Sequence, residues 1–367
     1  MLKQYQLKNY KIRLCILLIA ISSLGILIIG SAKESVQGKQ ILGLVLGIIA
    51  MIVISLMDYS YVINFYWILY VINIGLLLLV QLIGDDAGGA VRWVEIAGIR
   101  FQPSELSKII LILFFAKFFT KYQEQINTVK ILAASVILIG IPLVLIEEQP
   151  DLSTSIVVAL IFCILLFVAG LSYKIILSVF AIVIPMAALL ISIILQPGQK
   201  IIEGYQAKRI LAWLQPELYY DLVYQQTNSK IAIGSGQLFG KGLNNNIISS
   251  VKNGNFISEA QTDFIFAVAG EELGFIGGCV IIVLLALIAW ECIRIGKNAK
   301  DLSGTLICCG MAALVTCQSF VNICVATGLM PNTGIPLPFI SYGLTSLLSL
   351  FIGMGFVLNV GLQPKKY

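Results

Sequence analysis

Long apolar runs alternate with short polar connections along most of the chain. About 20 apolar residues cross the hydrocarbon core of a bilayer as a helix, and ten runs approach or exceed that length. We therefore predict an all-α polytopic membrane protein, with a single integral membrane domain over residues 1–367 and one large extracytoplasmic loop at about 196–262. The ten predicted membrane-spanning helices lie near residues 12–30, 41–57, 61–83, 104–119, 129–146, 153–170, 175–195, 263–292, 304–326 and 341–362.

Composition agrees with this pattern and removes several kinds of chemistry. Of the 367 residues, 59% are hydrophobic and 12% are charged, and the mean hydropathy is +0.96, whereas soluble domains carry about 25% charged residues. The chain has no histidine, which excludes a histidine general base and a histidine metal site. Its 8 cysteines lie in or beside the apolar runs, as expected of small core residues rather than a disulfide framework. We expect no organic cofactor and no nucleic-acid partner.

The distribution of charge orients the predicted helices. The net charge is +5, and 13 of the 24 basic residues fall in the two termini and the even-numbered connections. Short basic connections stay on the cytoplasmic side, so both termini are predicted to be cytoplasmic. The segments richest in glycine, proline and charge then face outward, and the chemistry is expected there. We call them the first (84–108), second (147–154), third (196–262) and fourth (327–343) outer segments.

The first outer segment carries two sets of candidate residues. Arg92 and Trp93 suit a membrane interface, and Ser104 precedes Glu105 and Lys108 at the start of a predicted helix. One interpretation makes Ser104 the N-cap and places Glu105 where the helix dipole favours it. That interpretation leaves Lys108 unexplained, because a cation is unfavourable near a helix N-terminus. A Glu105–Lys108 pair lining a polar cavity explains both residues, since they lie three apart on one helix face.

The second and third outer segments suggest different roles. Asp151 is expected to start the next helix rather than to act in catalysis. Lys208, Arg209 and Lys241 lie among glycines, and charge together with exposed main-chain N–H groups suits phosphate binding. No single glycine motif here is specific. The apolar patch after Arg209 either lies in the headgroup region or belongs to a plain surface helix.

Asp263 stands where the third outer segment ends and a long apolar run begins. Glu271 and Glu272 follow inside that run, where a charged side chain costs about 2.5–3.5 kcal/mol, so all three carboxylates are functional candidates. For Asp263, capping of the helix that begins there is the alternative to a functional role. The proline-rich fourth outer segment is expected to form a cavity wall, because irregular backbone at membrane depth occurs only inside protein or beside a cavity.

Five motifs in these segments resemble those of the SEDS family, which contains RodA, FtsW and SpoVE. They occur in the family's order, from the third predicted helix towards the end of the chain, and the short termini and the last motif are most similar to the RodA branch. The motifs are RWVEIAGIRFQPSELSK (92–108), EEQPDLSTS (147–155), RILAWLQPE (209–217), SEAQTDFIFAVAGEELGFIGG (258–278) and MPNTGIPLPFISYG (330–343).

The resemblance implies a peptidoglycan glycosyltransferase with ten membrane helices in the bacterial cytoplasmic membrane. Such proteins polymerise lipid II, a disaccharide pentapeptide on undecaprenyl pyrophosphate, at the outer membrane face beside a class B penicillin-binding protein. The RodA branch implies a role in cell elongation and shape. The family's essential aspartate corresponds to Asp263. The chain departs from the family pattern at Gln261, where members commonly have histidine, and at Leu344 and Thr345, which replace Gly and Ser in SYGGSS.

The expected mechanism gives each candidate residue a role. Asp263 takes the proton of the acceptor 4-hydroxyl, and Arg209, Lys208 or Lys108 stabilises the pyrophosphate leaving group. A divalent cation, Mg²⁺ or Mn²⁺, held mostly by the substrate pyrophosphate is another source of positive charge; no metal site built from protein ligands is expected. The remaining expected substrate-binding residues are Glu105, Arg92, Trp93 and Lys241.

Two alternatives to an enzyme stay open at this point. One is a transporter that flips the lipid-linked precursor, which the intramembrane charges and broken outer segments would suit; the short, basic inner connections speak against it. The other is a scaffold that recruits a penicillin-binding protein without catalysis. A scaffold gives no reason for buried carboxylates.

Overall fold

The helical pattern of the sequence appears directly in the structure, a computed structural model that describes residues 10–86, 91–96, 99–194, 205–244 and 256–364. A short three-stranded antiparallel sheet in the first outer segment is the main exception to helix. The strands are β1 (Asp85–Asp86), β2 (Val91–Ile96) and β3 (Ile99–Phe101). The helices are α1 (Ile12–Ala32), α2 (Glu34–Ser55), α3 (Tyr59–Asn64), α4 (Tyr66–Ile83), α5 (Pro103–Lys121), α6 (Val129–Glu147), α7 (Leu152–Val168), α8 (Tyr173–Ile194), α9 (Tyr205–Leu214), α10 (Tyr220–Ser235), α11 (Ile265–Lys297), α12 (Leu302–Ala326) and α13 (Leu344–Leu362).

Membrane-spanning character is a property of most of these helices. Within the described ranges, seven helices are long and apolar enough to cross a membrane: α1, α2, α4, α6, α11, α12 and α13. The other three predicted spans coincide with α5, α7 and α8. The predicted all-α, multi-pass membrane architecture is confirmed, whereas the count of ten crossings and the cytoplasmic location of the termini stay predictions.

Helices α5, α12 and α13 form the centre of the bundle. Nearly every residue of α5 is buried, including its polar first turns, and α12 and α13 are buried over most of their length. Helices α1, α2, α4 and α6 instead expose large apolar side chains, for example Ile12, Leu42, Val71 and Ile137. This arrangement suits a bilayer, because lipid tails solvate apolar side chains while polar groups must find partners inside the bundle.

Helix α11 is broken at Gly274, whose φ of 68° lies in the left-handed region. A segment of the third outer segment, the inserted segment (237–242), enters this break. Its residues Lys241 and Gly242 donate main-chain hydrogen bonds to the carbonyls of Glu271 and Glu272 at 3.0 and 2.9 Å. In an unbroken helix those carbonyls would accept from residues four further along, so the inserted segment replaces two helical hydrogen bonds.

The same segment also supplies acceptors to the second half of the helix. The N–H groups of Phe275 and Ile276 donate to the carbonyls of Gln237 and Leu238 at 2.8 and 3.2 Å. A Cβ atom at Gly240 would lie 2.1 Å from the Glu272 carbonyl oxygen, so the approach requires glycine. The third outer segment is therefore more than a connection, because part of it completes the hydrogen bonding of a membrane helix.

The inner connections meet in a separate polar network. Tyr59 donates from its hydroxyl to Asp301 at 2.8 Å, and Lys300 donates to Ser60 at 3.0 Å. Asn359 of α13 accepts from the main-chain N–H of Tyr59 at 2.9 Å. These two connections, which the charge distribution assigns to the cytoplasmic side, therefore lie close together. A chain that crosses the membrane back and forth requires this.

Candidate functional site

All four outer segments contribute to one polar site, and its centre is the turn that precedes α11. Tyr342 donates its main-chain N–H to the carbonyl of Gln261 at 2.9 Å, and the Ser341 hydroxyl donates to the carbonyl of Thr262 at 2.7 Å. A Cβ atom at Gly334, which has a φ of +75°, would lie 3.2 Å from Asp263 Oδ2. The fourth outer segment is thus a wall against Asp263, as its composition predicts.

Asp263 does not cap the helix that follows it. Helix α11 begins at Ile265, its N-cap residue is Phe264, and no side chain caps it. The capping alternative for Asp263 is therefore wrong, because Asp263 lies one residue before the N-cap position. The side chain is half-buried and keeps access to solvent.

The environment of Asp263 suits proton transfer. Burial raises the pKa of this carboxyl from 3.8 to about 6, with Asp151 and Glu259 adding in the same direction, while Arg92 and Arg209 oppose the rise. A base works best when its pKa lies near the operating pH. Two predicted substrate-binding cations, Arg92 and Arg209, are therefore close enough to Asp263 to act on its charge.

Arg92 is held by the second outer segment. It lies on β2 and donates from Nε to the carbonyl of Gln149 at 3.1 Å and from its Nη2 group to the carbonyl of Pro150. Asp151 caps α7 by accepting from the Thr154 N–H at 3.1 Å, so its predicted role in starting a helix is confirmed. Trp93, the neighbour of Arg92, is half-buried.

Arg209 joins the third outer segment to the fourth. It lies on α9 and donates from Nη1 to the carbonyl of Asn332 at 3.1 Å. A small crevice of about 20 Å³ beside it is lined by residues of three outer segments, including Pro150, Ser153 and Asn332. Lys208, the adjacent residue, is exposed. The amphipathic α9 thus presents Arg209 inward and Lys208 to solvent.

The predicted Glu105–Lys108 pair is present. Lys108 Nζ lies 2.7 Å from Glu105 Oε1, and both side chains are 2% exposed. Lys108 also donates to Gln318 Oε1 of α12 at 2.8 Å, and Gln318 donates in turn to the carbonyl of Pro336 at 2.9 Å. Ser104 is not the N-cap of α5; the helix begins one residue earlier, at Pro103, since proline suits a first helical position.

Asn322 makes a second connection from α12 to the site. It lies one helical turn after Gln318 on the same face, and its Nδ2 group donates to the carbonyls of Asp263 at 2.8 Å and Ile335 at 2.6 Å. Its side chain is 1% exposed. The buried pair Gln318 and Asn322 therefore connects Lys108, the fourth outer segment and the main chain of Asp263.

Lys241 lies in a different part of the site region from Asp263. Its Nζ atom is 2.7 Å from Glu271 Oε1, and Glu271 lies about 9 Å along α11 from the first helical residue. Glu272 accepts a hydrogen bond from the Ser31 hydroxyl of α1. Glu271 thus connects α11 to the inserted segment, and Glu272 connects α11 to α1, both close to the break at Gly274. The expected phosphate contact of Lys241 stays a prediction.

Two of the residues that depart from the SEDS pattern, Gln261 and Thr345, make hydrogen bonds of their own. Gln261 is 5% exposed and donates from Nε2 to the Glu259 carboxylate. Thr345 donates from Oγ1 to the carbonyl of Arg100 at 3.1 Å, which joins α13 to β3. Neither residue contacts the Asp263 carboxylate by a hydrogen bond among the described residues.

Three residues of the site are missing from the set drawn from the sequence: Gly334, Gln318 and Asn322. The last two carry a signal, because they are polar residues four apart inside an apolar span. Gly334 stands in a segment with several glycines and prolines, and its contact with Asp263 depends on tertiary structure. Within the described ranges, no group of three or more His, Cys, Asp or Glu residues could hold a metal ion.

The fold and the site together define a multi-pass membrane protein with a polar, carboxylate-centred site at one membrane face. The family described as cell cycle proteins, FtsW, RodA and SpoVE, matches residues 9–366, and the chain belongs to this family. It is 32% identical to the probable peptidoglycan glycosyltransferase FtsW of Trichlorobacter lovleyi, over 98% of this chain and 94% of the relative.

Two further likenesses extend this result. The chain is 36% identical to the peptidoglycan glycosyltransferase MrdB of Escherichia coli K12, over 81% of this chain and 78% of the relative. A solved structure described as structural coordination of polymerization and crosslinking by a peptidoglycan synthase complex has a TM-score of 0.77 and 28% identity, over 96% of this chain and 97% of that one. The SEDS family assignment is confirmed, and relatives with different names match similarly well.

Proposed function

We propose that the chain is a peptidoglycan glycosyltransferase that polymerises lipid II into glycan strands at the outer face of the cytoplasmic membrane. The observation that carries the proposal is Asp263, a half-buried carboxyl with a pKa of about 6 beside Arg92 and Arg209. A base and fixed cations beside each other are what a sugar transfer with a pyrophosphate leaving group requires. Two curated relatives with this activity in their names support it.

The proposed reaction starts with proton transfer. Asp263 removes the proton from the acceptor 4-hydroxyl, and the oxygen attacks the anomeric carbon of the donor. The bond from that carbon to the pyrophosphate oxygen breaks, and undecaprenyl pyrophosphate leaves with the electron pair. Attack from the opposite side converts the α-linked donor into a β-linked glycan. No acid of the glycosidase kind is needed, because pyrophosphate is a good leaving group.

Basic residues near Asp263 are proposed to stabilise the negative charge of the pyrophosphate leaving group. Arg209 and the exposed Lys208 on α9 are the proposed partners of the pyrophosphate, while Arg92 lowers the pKa of Asp263 and so favours its ionised form. A divalent cation would supply further positive charge when bound. Such a cation would be held mostly by substrate oxygens, because no group of three or more His, Cys, Asp or Glu residues in the described part of the chain could hold a metal ion.

Glu105 and Lys108 are proposed to contact the sugar or peptide part of the substrate. Glu105 Oε2 is buried and has no hydrogen-bond partner within the described part of the chain, so it is able to accept from water or a substrate hydroxyl. Trp93 is proposed to lie against the lipid-linked substrate at the interface. The role in cell elongation rests on the fourth outer segment, which is most similar to the RodA branch.

A class B penicillin-binding protein is the proposed partner. A structural neighbour comes from a complex that coordinates polymerization and crosslinking, and glycan strands must be crosslinked where they are made. The partner and the polymerase would therefore share a membrane surface.

Polymerisation of labelled lipid II by the purified chain tests the proposal. The assay contains the partner with its crosslinking site blocked, so that strand length reports the chain alone. Long glycan strands are expected. Absence of polymer together with lipid II translocation in liposomes would instead support the flippase. Absence of both polymerisation and translocation would support the non-catalytic scaffold.

A further inference from the structure

A cavity of about 300 Å³ lies at the other end of α11 from Asp263, where the start of α1 meets the end of α11. Charge orientation predicts that this end faces the cytoplasm. The cavity is lined by Tyr10, Lys11, Arg13, Glu291, Arg294 and Asn298, among others. None of these residues takes part in the proposed polymerase reaction.

The charges around the cavity do not cancel. Lys11, Arg13 and Arg294 face it with one carboxylate, Glu291, which lies 3.3 Å from Arg294 Nη1. Three cations and one carboxylate leave an excess of two positive charges. Arg294 keeps 55% of its side chain exposed despite the ion pair, so its guanidinium has free donors for an anion. Guanidinium groups bind phosphate with paired, charge-assisted hydrogen bonds.

Two apolar stripes lead away from the cavity towards the membrane interior. On α1, Ile12, Ile16 and Ile19 are 63%, 60% and 43% exposed. Their spacing of three or four residues places them on one face of the helix, and Ile12 itself lines the cavity. These side chains have the exposure expected of a surface that lipid tails cover.

The second stripe lies on α11, which packs against α1. Trp290, Leu287 and Val283 are 63%, 42% and 54% exposed, and they continue the helix face of Arg294 at the same spacing. The positive cavity therefore stands at the base of two neighbouring lipid-facing stripes. A soluble phosphate compound would use the cations alone, whereas a membrane lipid would use the cations and both stripes.

We infer that the cavity binds the headgroup of an anionic phospholipid from the inner leaflet. Its phosphodiester contacts Arg13, Arg294 and Lys11, and its acyl chains lie along the stripes of α1 and α11. Basic pockets between helices on the cytoplasmic side are suited to such headgroups. The lipid ties the first helix to α11, the helix that follows Asp263 and carries the break at Gly274.

Native mass spectrometry of the full-length chain in detergent tests this inference. The probes are phosphatidylglycerol and phosphatidylcholine with identical acyl chains, added in equal amounts. Wild-type protein is expected to retain phosphatidylglycerol preferentially. The double substitution Arg13→Gln and Arg294→Gln is expected to weaken that binding about 25-fold, because each basic residue near an anionic lipid contributes about fivefold in affinity.

The matched control removes the same charge elsewhere on the same side. Lys130 and Lys174 are exposed residues in the first turns of α6 and α8, outside the cavity, so Lys130→Gln with Lys174→Gln should leave phosphatidylglycerol binding unchanged. Equal retention of phosphatidylcholine by wild-type protein would overturn the inference, as would equal weakening in the two double variants. Binding of glycerol phosphate as tightly as of the whole lipid would overturn it in favour of a soluble phosphate site.

Discussion

Asn322 Nδ2 donates a hydrogen bond of 2.8 Å to the main-chain carbonyl of Asp263. The same group donates to Ile335 of the fourth outer segment at 2.6 Å. One buried amide on α12 therefore sets the position of the proposed base relative to the wall that faces it. The turn that carries Asp263 lies outside α11, so it depends on such side-chain contacts for its position.

Asn322→Ala is expected to lower kcat for lipid II polymerisation by about tenfold to a hundredfold, because small misplacements of a catalytic group are costly. KM should change little, since Asn322 is buried away from solvent. The measurement is steady-state polymerisation with lipid II varied. Asn127→Ala is the matched control, because Asn127 also bonds main-chain groups, at Gly170 and Ser172, but on an inner connection. A change in KM alone would contradict a positioning role.

The pKa of Asp263 predicts the pH dependence of the reaction. A base with a pKa of about 6 is ionised above that pH and protonated below it. The rate should therefore rise about tenfold between pH 5 and pH 7 and then level off. Arg92→Gln removes a charge that lowers this pKa, so the midpoint of the profile should move to higher pH. Lys174→Gln, in the first turn of α8, should leave the midpoint unchanged, and a wild-type profile that is flat from pH 5 to pH 7 would contradict the assignment.

Several features of this site could be predicted from the sequence because they are local. The Glu105–Lys108 pair follows from spacing on one helix face, and Asp151 at the start of α7 follows from its place between two apolar runs. The role of the fourth outer segment follows from prolines at membrane depth. Each of these depends on residues within a few positions of one another.

Other features depend on contacts between distant parts of the chain. The inserted segment reaches α11 from about 30 residues away in sequence, at a position where helix periodicity gives no sign of a break. Asp263 lies close enough to the helix start for the sequence to allow a capping role, and the position of the N-cap at Phe264 excludes that role. Gln318 and Asn322 could be recognised as polar residues in a span, but their partners could not.

The inserted segment predicts a sharp difference between two glycines. A Cβ atom at Gly240 would meet the Glu272 carbonyl at 2.1 Å, and its φ is +80°. Gly240→Ala should therefore lower the free energy of unfolding by about 2 kcal/mol or more. Gly234→Ala is the control, because nothing lies within 4 Å of its Cβ position on α10; it should be neutral or raise stability by about 0.5–1 kcal/mol. Thermal unfolding in detergent measures both, and similar losses in the two variants would exclude the close approach of the inserted segment to α11 as a source of stability.

The buried pair on α5 predicts a non-additive pattern. Lys108→Met leaves the Glu105 carboxylate buried without its cation, and such losses cost about 3–5 kcal/mol. Glu105→Gln removes the carboxylate and leaves the Lys108 ammonium hydrogen-bonded to Gln318. The double variant removes both charges, so its unfolding temperature should lie closer to wild type than that of Lys108→Met. Additive losses would show that the two charges stabilise the bundle independently.

The most direct measurement of the central claim compares polymerisation of labelled lipid II by wild-type protein, Asp263→Ala and Asp221→Ala, each with the crosslinking-blocked partner. Asp221 is an exposed carboxylate in the first turn of α10, so it controls for loss of a negative charge in the outer segment that leads to Asp263. General-base catalysis contributes about 10²- to 10⁴-fold in rate. We predict long glycan strands from wild type and Asp221→Ala and almost none from a well-folded Asp263→Ala; equal polymer from all three would contradict the assignment of Asp263 as the base.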